Sequence, residues 1–179
     1  MTTILETERL ILREFSLDDA SFILHLLNTP TWLQFIGDRG VRNLDDARHY
    51  LLKGPINSYL VNGFGLYMVA LKKTETPIGM CGLVKRNGLD DPDIGFALLP
   101  EFAGKNFAYE VASAMVSYAQ NHLLLPRLAA ITTEDNTHSI KLLNKLGLQF
   151  EQKIQLPNIE KELLLFGVGF DAKARGELR

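Results

Sequence analysis

The segment whose residue types most directly suggest chemistry is 98–122, LLPEFAGKNFAYEVASAMVSYAQNH. A strand-like apolar start passes Pro100, crosses Gly104-Lys105-Asn106 and runs on unbroken as a long amphipathic pattern. The first turn of a helix has unpaired N–H groups and carries the positive end of the helix dipole. A loop that keeps its side chains away lets an anion such as phosphate reach those donors. Gly104 removes one side chain, and Ala103 and Ala108 keep two others small. Asn106 is among the few non-glycine residues that tolerate a positive φ. Lys105 either adds charge or simply faces solvent. On these residues alone, anion binding and a plain strand-to-helix turn are equal alternatives.

Other chemistries find less support. His25, His49, His122 and His138 show no metal-ligand spacing and no partner cysteines, so no metal is expected. Gly63-Phe64-Gly65 lacks the third glycine and the preceding strand of a dinucleotide fingerprint. No Ser/His/Asp arrangement can be assigned from spacing. Cys81 is the single cysteine and sits in an apolar run, which fits a small buried hydrophobe and a reducing compartment.

The elements that must position the 98–122 segment follow from hydrophobic period and turn chemistry. Arg9-Leu10-Ile11-Leu12-Arg13 reads as a first strand. Ser16 and Asp19 resemble a capping box, followed by a helical face of Ala20, Ile23, Leu24 and Leu27 that ends at Thr29-Pro30. A second helix starts near Asn43 and is expected to stop at Gly54-Pro55. Strands are expected over 65–72, 77–85 and 93–99. Their connections are too short for crossover helices, so an antiparallel meander follows. The long helix covers 107–123, a strand 127–132, a helix 139–146, and a closing hairpin 148–154 with 160–170. The order β-α-α-β-β-β-α-β-α-β-β predicts an α/β (α+β) fold, a mixed sheet with helices packed on it.

The length of 179 residues suits one domain, taken as 1–171, with a frayed tail at 172–179. A net charge of −2 gives no reason to expect nucleic acid or an anionic membrane as partner. The opening MTTILETERLILREF lacks the apolar core of a signal peptide, and no apolar run approaches a membrane span. A cytoplasmic protein is expected. The apolar Leu163-Leu164-Leu165-Phe166 can serve either as core or as the edge of a homodimer.

Several of these motifs together resemble the GNAT superfamily of acyl-CoA-dependent N-acetyltransferases, in its ribosomal-protein-alanine N-acetyltransferase branch. Thr7-Glu8-Arg9-Leu10-Ile11-Leu12-Arg13 matches that branch's first strand. Asp93-Ile94-Gly95-Phe96 followed by Leu99-Pro100-Glu101-Phe102 is similar to its acidic-Ile-Gly-aromatic strand and Pro-Glu-aromatic turn. Asn136-Thr137-His138-Ser139, then Leu142-Leu143 and Lys145-Leu146-Gly147-Leu148, resembles its second cofactor motif. The superfamily's Gln/Arg-x-x-Gly-x-Gly/Ala pattern is met only at Ala108; Ala103 and Asn106 stand at its other fixed positions.

The resemblance implies acetyl-CoA as co-substrate and an amine as acceptor. The CoA diphosphate would be bound by main-chain amides of Ala103, Gly104, Lys105, Asn106, Phe107 and Ala108. The pantetheine arm would lie between parallel strands 93–99 and 127–132, splayed at their ends. Leu98 would offer main-chain groups to the arm and the thioester carbonyl, and Asn136 would bond the arm from the other side. By itself Asn136 is equally a loop or cap residue. Amine attack needs a neutral amine, an oxyanion site and a proton for the thiolate. Asp93 holds the family's acidic position and is the candidate base, acting directly or through a water; otherwise it is a turn aspartate. Ser139 resembles the serine proposed as acid in the ribosomal branch, and otherwise caps a helix. Leu143 stands where many members have a tyrosine. Trp32 and Phe35, with Asp38 nearby, fall where members build the acceptor site; core packing is their other reading. Ala103, Asn106 and Leu143 also admit a non-catalytic acyl-CoA sensor with the same fold.

Overall fold

The computed structural model describes residues 2–171; the 172–179 tail lies outside them. Strands β1 (Thr3–Glu6), β2 (Leu10–Arg13), β3 (Leu66–Leu71), β4 (Pro77–Val84), β5 (Asp93–Leu98), β6 (Arg127–Thr132), β7 (Gln149–Ile154) and β8 (Leu163–Gly169) form one sheet. Their order across it is β1-β2-β3-β4-β5-β6-β8-β7. The helices are α1 (Ala20–Leu26), α2 (Pro30–Phe35), α3 (Leu44–Leu51), α4 (Asn57–Asn62), α5 (Phe107–Asn121) and α6 (Thr137–Lys145). None of the described helices is long and apolar enough to cross a membrane.

Two cores hold the layers together, one on each face. On one face α5 presents Val111, Ala112, Met115 and Ala119 to Tyr67, Val69, Cys81, Leu83 and Ile94. On the other, Ile23, Leu26 and Leu27 of α1 and its cap join Ala47 and Leu51 of α3 over Met68 and Met80. Alternation along the strands makes this possible, since neighbouring side chains point to opposite faces. The antiparallel meander over β3, β4 and β5 is present, as is the β7–β8 hairpin.

The expected element order needs three corrections. β1 precedes the expected first strand and pairs with it; Thr3–Glu6 is only four residues, none of them fully buried, so it carried little signal. Pro30 both ends the first helix and starts another. Thr29 is extended, as a residue before proline must be, and Pro30 then takes the first turn of α2, where its missing N–H costs nothing. The helix from Leu44 does not stop at Gly54-Pro55. Leu52–Ile56 continues it as a π-turn with Pro55 inside, and α4 follows. The wider winding leaves room for a ring that would clash in an α-helix. The Leu163–Phe166 segment is core: β8 is paired on both sides, by β6 and β7.

Candidate active site

The ladder between β5 and β6 is parallel and has one recorded pair, Asp93 opposite Ala129. Antiparallel β4, by contrast, follows β5 from Asp93 to Leu98. Beyond the Asp93 end, β5 and β6 therefore part and leave a V-shaped cleft. The Pro92 carbonyl accepts from the Ala129 N–H at 2.9 Å, while the Leu99 N–H turns the other way, to Ile78 on β4 at 2.8 Å. Main-chain groups alternate sides along a strand. Phe96 and Leu98 consequently direct their N–H and C=O groups into the cleft.

At the wide end, Pro100–Phe102 forms a 3₁₀ turn, and the Ala103 N–H donates back to the Pro100 carbonyl at 3.1 Å. Ala103 is thus spent as a donor, contrary to its expected role. Gly104 (φ 73°) and Asn106 (φ 64°) both take left-handed conformations. Two such residues around Lys105 let the chain turn directly into α5, whose first helical bond runs from Glu110 N–H to the Asn106 carbonyl at 3.1 Å. No described protein group accepts from the N–H groups of Gly104, Lys105, Asn106, Phe107, Ala108 or Tyr109. The anion-ready donors accordingly begin and end one residue later than the sequence pattern implied. Lys105 lies over the Phe102 ring, Nζ 5.3 Å from its centre. The loop is braced from the turn before β2: Arg9 Nη1 donates to the Lys105 carbonyl at 3.2 Å, and its guanidinium lies 4.3 Å from the centre of the Phe107 ring.

Asp93 occupies the closed end. Alternation places Asp93, Gly95 and Ala97 on the α1–α3 face, with Ala97 packed against that core, whereas Phe96 and Leu98 pack against the α5 core. The Asp93 side chain is 1% exposed, and its Oδ1 accepts from Arg86 Nε at 2.8 Å. No protein donor reaches Oδ2 among the described residues. Burial pushes this carboxyl above the usual aspartate range, with the Arg86 charge and hydrogen bond pulling only part of the way back. A carboxylate so placed is a better proton acceptor than one in water. Asp93 and Leu98 stand about 16 Å apart along β5, at roughly 3.3 Å per residue. They cannot serve the same carbonyl. Phe96, which sequence reasoning passed over, turns its main chain into the cleft nearer to Asp93.

Across the cleft, Asn136 caps α6: its Oδ1 accepts from the Ser139 N–H at 3.2 Å, which leaves its Nδ2 uncommitted. Ser139 is in the first turn and is not the cap. Leu143 is buried in the α5-side core. The Thr133 Oγ1, just past β6, is the other buried side-chain oxygen without a described partner. Trp32 is 5% exposed in the α1–α3 core, its Nε1 donating to the Gly37 carbonyl at 3.1 Å. It supports the wall and offers no open ring face, which corrects its expected contact with an acceptor. Phe35 remains half-buried at the end of α2. Asp38 is taken by Arg42. Among the described residues no group of three or more His, Cys, Asp or Glu is placed to hold a metal. Cys81 is fully buried, and that burial pushes its thiol up to about 12.

The chain and its fold have known relatives. The family described as acetyltransferase (GNAT) domain matches residues 9–149, and the chain belongs to that family. A curated relative from Bacillus licheniformis, the uncharacterised N-acetyltransferase p20, is 32% identical over 151 residues, covering 82% of this chain and 83% of its own. An acetyltransferase structure from Agrobacterium tumefaciens superposes with a TM-score of 0.77 at 24% identity, over 94% of each chain. RimL, a ribosomal-protein α-N-acetyltransferase in complex with coenzyme A, gives 0.78 at 16% identity, over 96% of this chain and 99% of its own. The mixed α/β architecture is therefore that of GNAT acetyltransferases.

Proposed function

We propose that the protein transfers an acetyl group from acetyl-CoA to a primary amine by direct attack. The observation that carries this is the run of unpartnered N–H groups from Gly104 to Tyr109, set where the β5–β6 cleft opens. Those donors, with the α5 dipole behind them, fit a diphosphate. The relatives' N-acetyltransferase names and the coenzyme A held by RimL support the same reading.

Acetyl-CoA supplies an activated acyl group and a stable leaving thiolate. The chain's part is positioning and proton handling. Main-chain groups of Leu98 and Phe96 line the arm on one side, and the Asn136 Nδ2 reaches it from the other. The Phe96 N–H donates to the carbonyl oxygen as negative charge grows on it while the amine nitrogen bonds to its carbon. Asp93 takes the amine proton through a water, because its carboxylate is buried beside the cleft rather than exposed within it. When the C–S bond breaks, the Ser139 hydroxyl donates a hydrogen bond to the departing thiolate, and the proton taken up by Asp93 passes out through water, where the thiolate is protonated. An α-amine, with a pKa near 8, asks less of such a base than an alkyl amine near 10. The N-terminus of a protein is therefore the favoured acceptor class.

The test measures thiol release from acetyl-CoA across a panel of amines, alongside calorimetric titration with CoA. Amine-dependent release with saturable CoA binding is expected. CoA binding without release for any amine would identify a sensor, and absence of CoA binding would end the proposal.

A further inference from the structure

Leu156 is only 5% exposed, yet it belongs to neither of the two cores. It is the one buried residue of the connection between β7 and β8, residues 155–162. What it meets is Gly88: a Cβ on that glycine would stand 3.2 Å from Leu156 Cδ2 and 3.1 Å from Pro157 Cδ. Gly88 lies in the β4–β5 connection, two residues from Arg86, whose Nε donates to Asp93 Oδ1 at 2.8 Å. The topology makes this contact a bridge. The β4–β5 connection leads into Asp93, opposite Ala129 near the start of β6, whereas the β7–β8 connection joins Ile154 to Leu163, level with the far end of β6. The two also come from opposite sides of β6 in the strand order, so they meet across it.

Each side of the bridge is a closed turn. The Leu89 N–H donates to the Arg86 carbonyl at 3.4 Å, with Gly88 at φ 90° between them. The Ile159 N–H donates to the Leu156 carbonyl at 3.2 Å, with Asn158 at φ 64°. Lys153 ties the base of the β7–β8 connection to Glu134 at 3.5 Å and to Glu162 at 3.2 Å. The 86–89 turn thus has two docking points, Arg86 on the carboxylate and Gly88 on Leu156 and Pro157. An arginine loses much rotamer freedom when it keeps one geometry, and a turn fixed at a second point leaves less freedom to lose. Arg86 is the only described side chain bonded to Asp93. Its strand neighbours Val84 and Ala129 are apolar, Lys85 donates to the Asp90 carbonyl, and Arg127 is paired with Asp91 and Glu151. Asp90 is exposed, and the Tyr50 phenol of α3 is raised by burial, so it stays neutral where carboxylates titrate.

We infer that Leu156 is a positioning residue for Asp93: packed on Gly88, it holds the 86–89 turn so that Arg86 stays on the carboxylate. The consequence for turnover rests on the proposed role of Asp93 as base; the positioning does not. A guanidinium held beside a buried carboxylate favours its charged form, so loosening the turn makes Asp93 bind its proton more tightly. The connection between β7 and β8 thereby sets the proton affinity of a group on the other side of β6.

Carbon-13 NMR of the aspartate carboxyls reads the Asp93 titration directly, with Asp93→Asn assigning its resonance. Arg86→Gln should raise the midpoint by about 1 pH unit or more, since it removes an adjacent opposite charge. Leu156→Ala should raise it by about half as much, and Leu156→Met should keep it near the wild-type value. In an Arg86→Gln background Leu156→Ala should add nothing, because the arginine it positions is gone. Gly88→Ala forces a methyl into the contact and should reproduce the Leu156→Ala shift; it decides the matter if Leu156→Ala does not fold. A midpoint that neither substitution moves, or a Leu156→Ala shift that persists without Arg86, would overturn the inference. Wild-type turnover in Asp93→Asn would instead remove the base assignment and leave the positioning role standing.

Discussion

Glu110, in the first turn of α5, receives Arg9 Nε at 2.7 Å, Arg9 main-chain N–H at 2.9 Å and the Thr7 hydroxyl at 2.6 Å. One carboxylate thereby fastens the start of the central helix to the turn between β1 and β2, two strands on the far side of the sheet from β6. Arg9 also holds the Lys105 carbonyl, so the brace extends into the Gly104–Asn106 loop.

Loss of this brace is expected to act on stability and on CoA together. Glu110→Gln should cost about 1–2 kcal/mol in thermal or urea unfolding, as for a hydrogen-bonded charge at a helix start. Burial alone would raise Glu110, but the bonds from Thr7 and Arg9 outweigh it and its carboxyl lies below the usual range. A depressed folded value contributes stability above the unfolded pKa, near 4.3, and loses it as pH falls through the folded one. Unfolding measured from pH 6 downwards should therefore show a shallower acid loss in Glu110→Gln than in wild type. Equal slopes would mean that the carboxylate is not held as described.

Asn106 holds φ 64° and ψ 11° at the N-cap of α5, and its side chain caps nothing. Asn106→Gly should leave stability equal or slightly raised and tighten CoA. Asn106→Val puts a β-branched residue where the left-handed region is strained, and should cost about 1–2 kcal/mol while weakening CoA several-fold. Differential scanning calorimetry with CoA titration separates the two effects.

The Asp93 carboxyl makes a kinetic prediction with a definite sign. Asp93→Asn should lower kcat by about a hundredfold or more with CoA affinity unchanged. Burial raises Asp93 and Arg86 partly offsets this, so Arg86→Gln should move the acidic limb of the kcat–pH profile to higher pH. A limb that stays in place, or moves down, would show that Arg86 does not act on the group that sets it.

Gly79 carries a packing prediction. A Cβ there would stand 2.3 Å from the Ala97 carbonyl oxygen, a main-chain atom of the strand that bears the site. Gly79→Ala should destabilise by about 1–3 kcal/mol, as overpacking does, and lower activity by shifting β5. Normal stability and turnover would refute the close approach of β4 and β5.

The parts of this structure that obey local rules were readable from sequence. The meander from Leu66 to Leu98, the long helix and the final hairpin follow from period, Gly/Pro punctuation and short connections. The π-turn at Pro55 was not, because proline stops an α-helix and nothing local announces a wider winding. The strand order at the C-terminal end was equally hidden, since pairing partners distant in sequence leave no periodic trace. Around the site, the Gly104–Asn106 loop was visible because special φ values select particular residues. The Phe96 main chain was within reach too: alternation from Leu98 marks every second residue of that strand. The Arg86–Asp93 pair had no such signal, because it depends on how the 85–92 turn folds back. Trp32 misled because an aromatic near a binding segment reads alike whether it lines the wall or lies behind it.

β8 is the last of the described strands to be made, yet it lies between β6 and β7. As the chain leaves the ribosome, β6 must wait with an open flank until residues 163–169 arrive, and β7 has no neighbour at all until then. Among the described strands the half of the cleft formed by β6 is thus completed late, and its exposed edge is where a chaperone or an aggregating copy would first find purchase. Truncation inside β8 should consequently leave the α1–α3 half folded around a site that never closes.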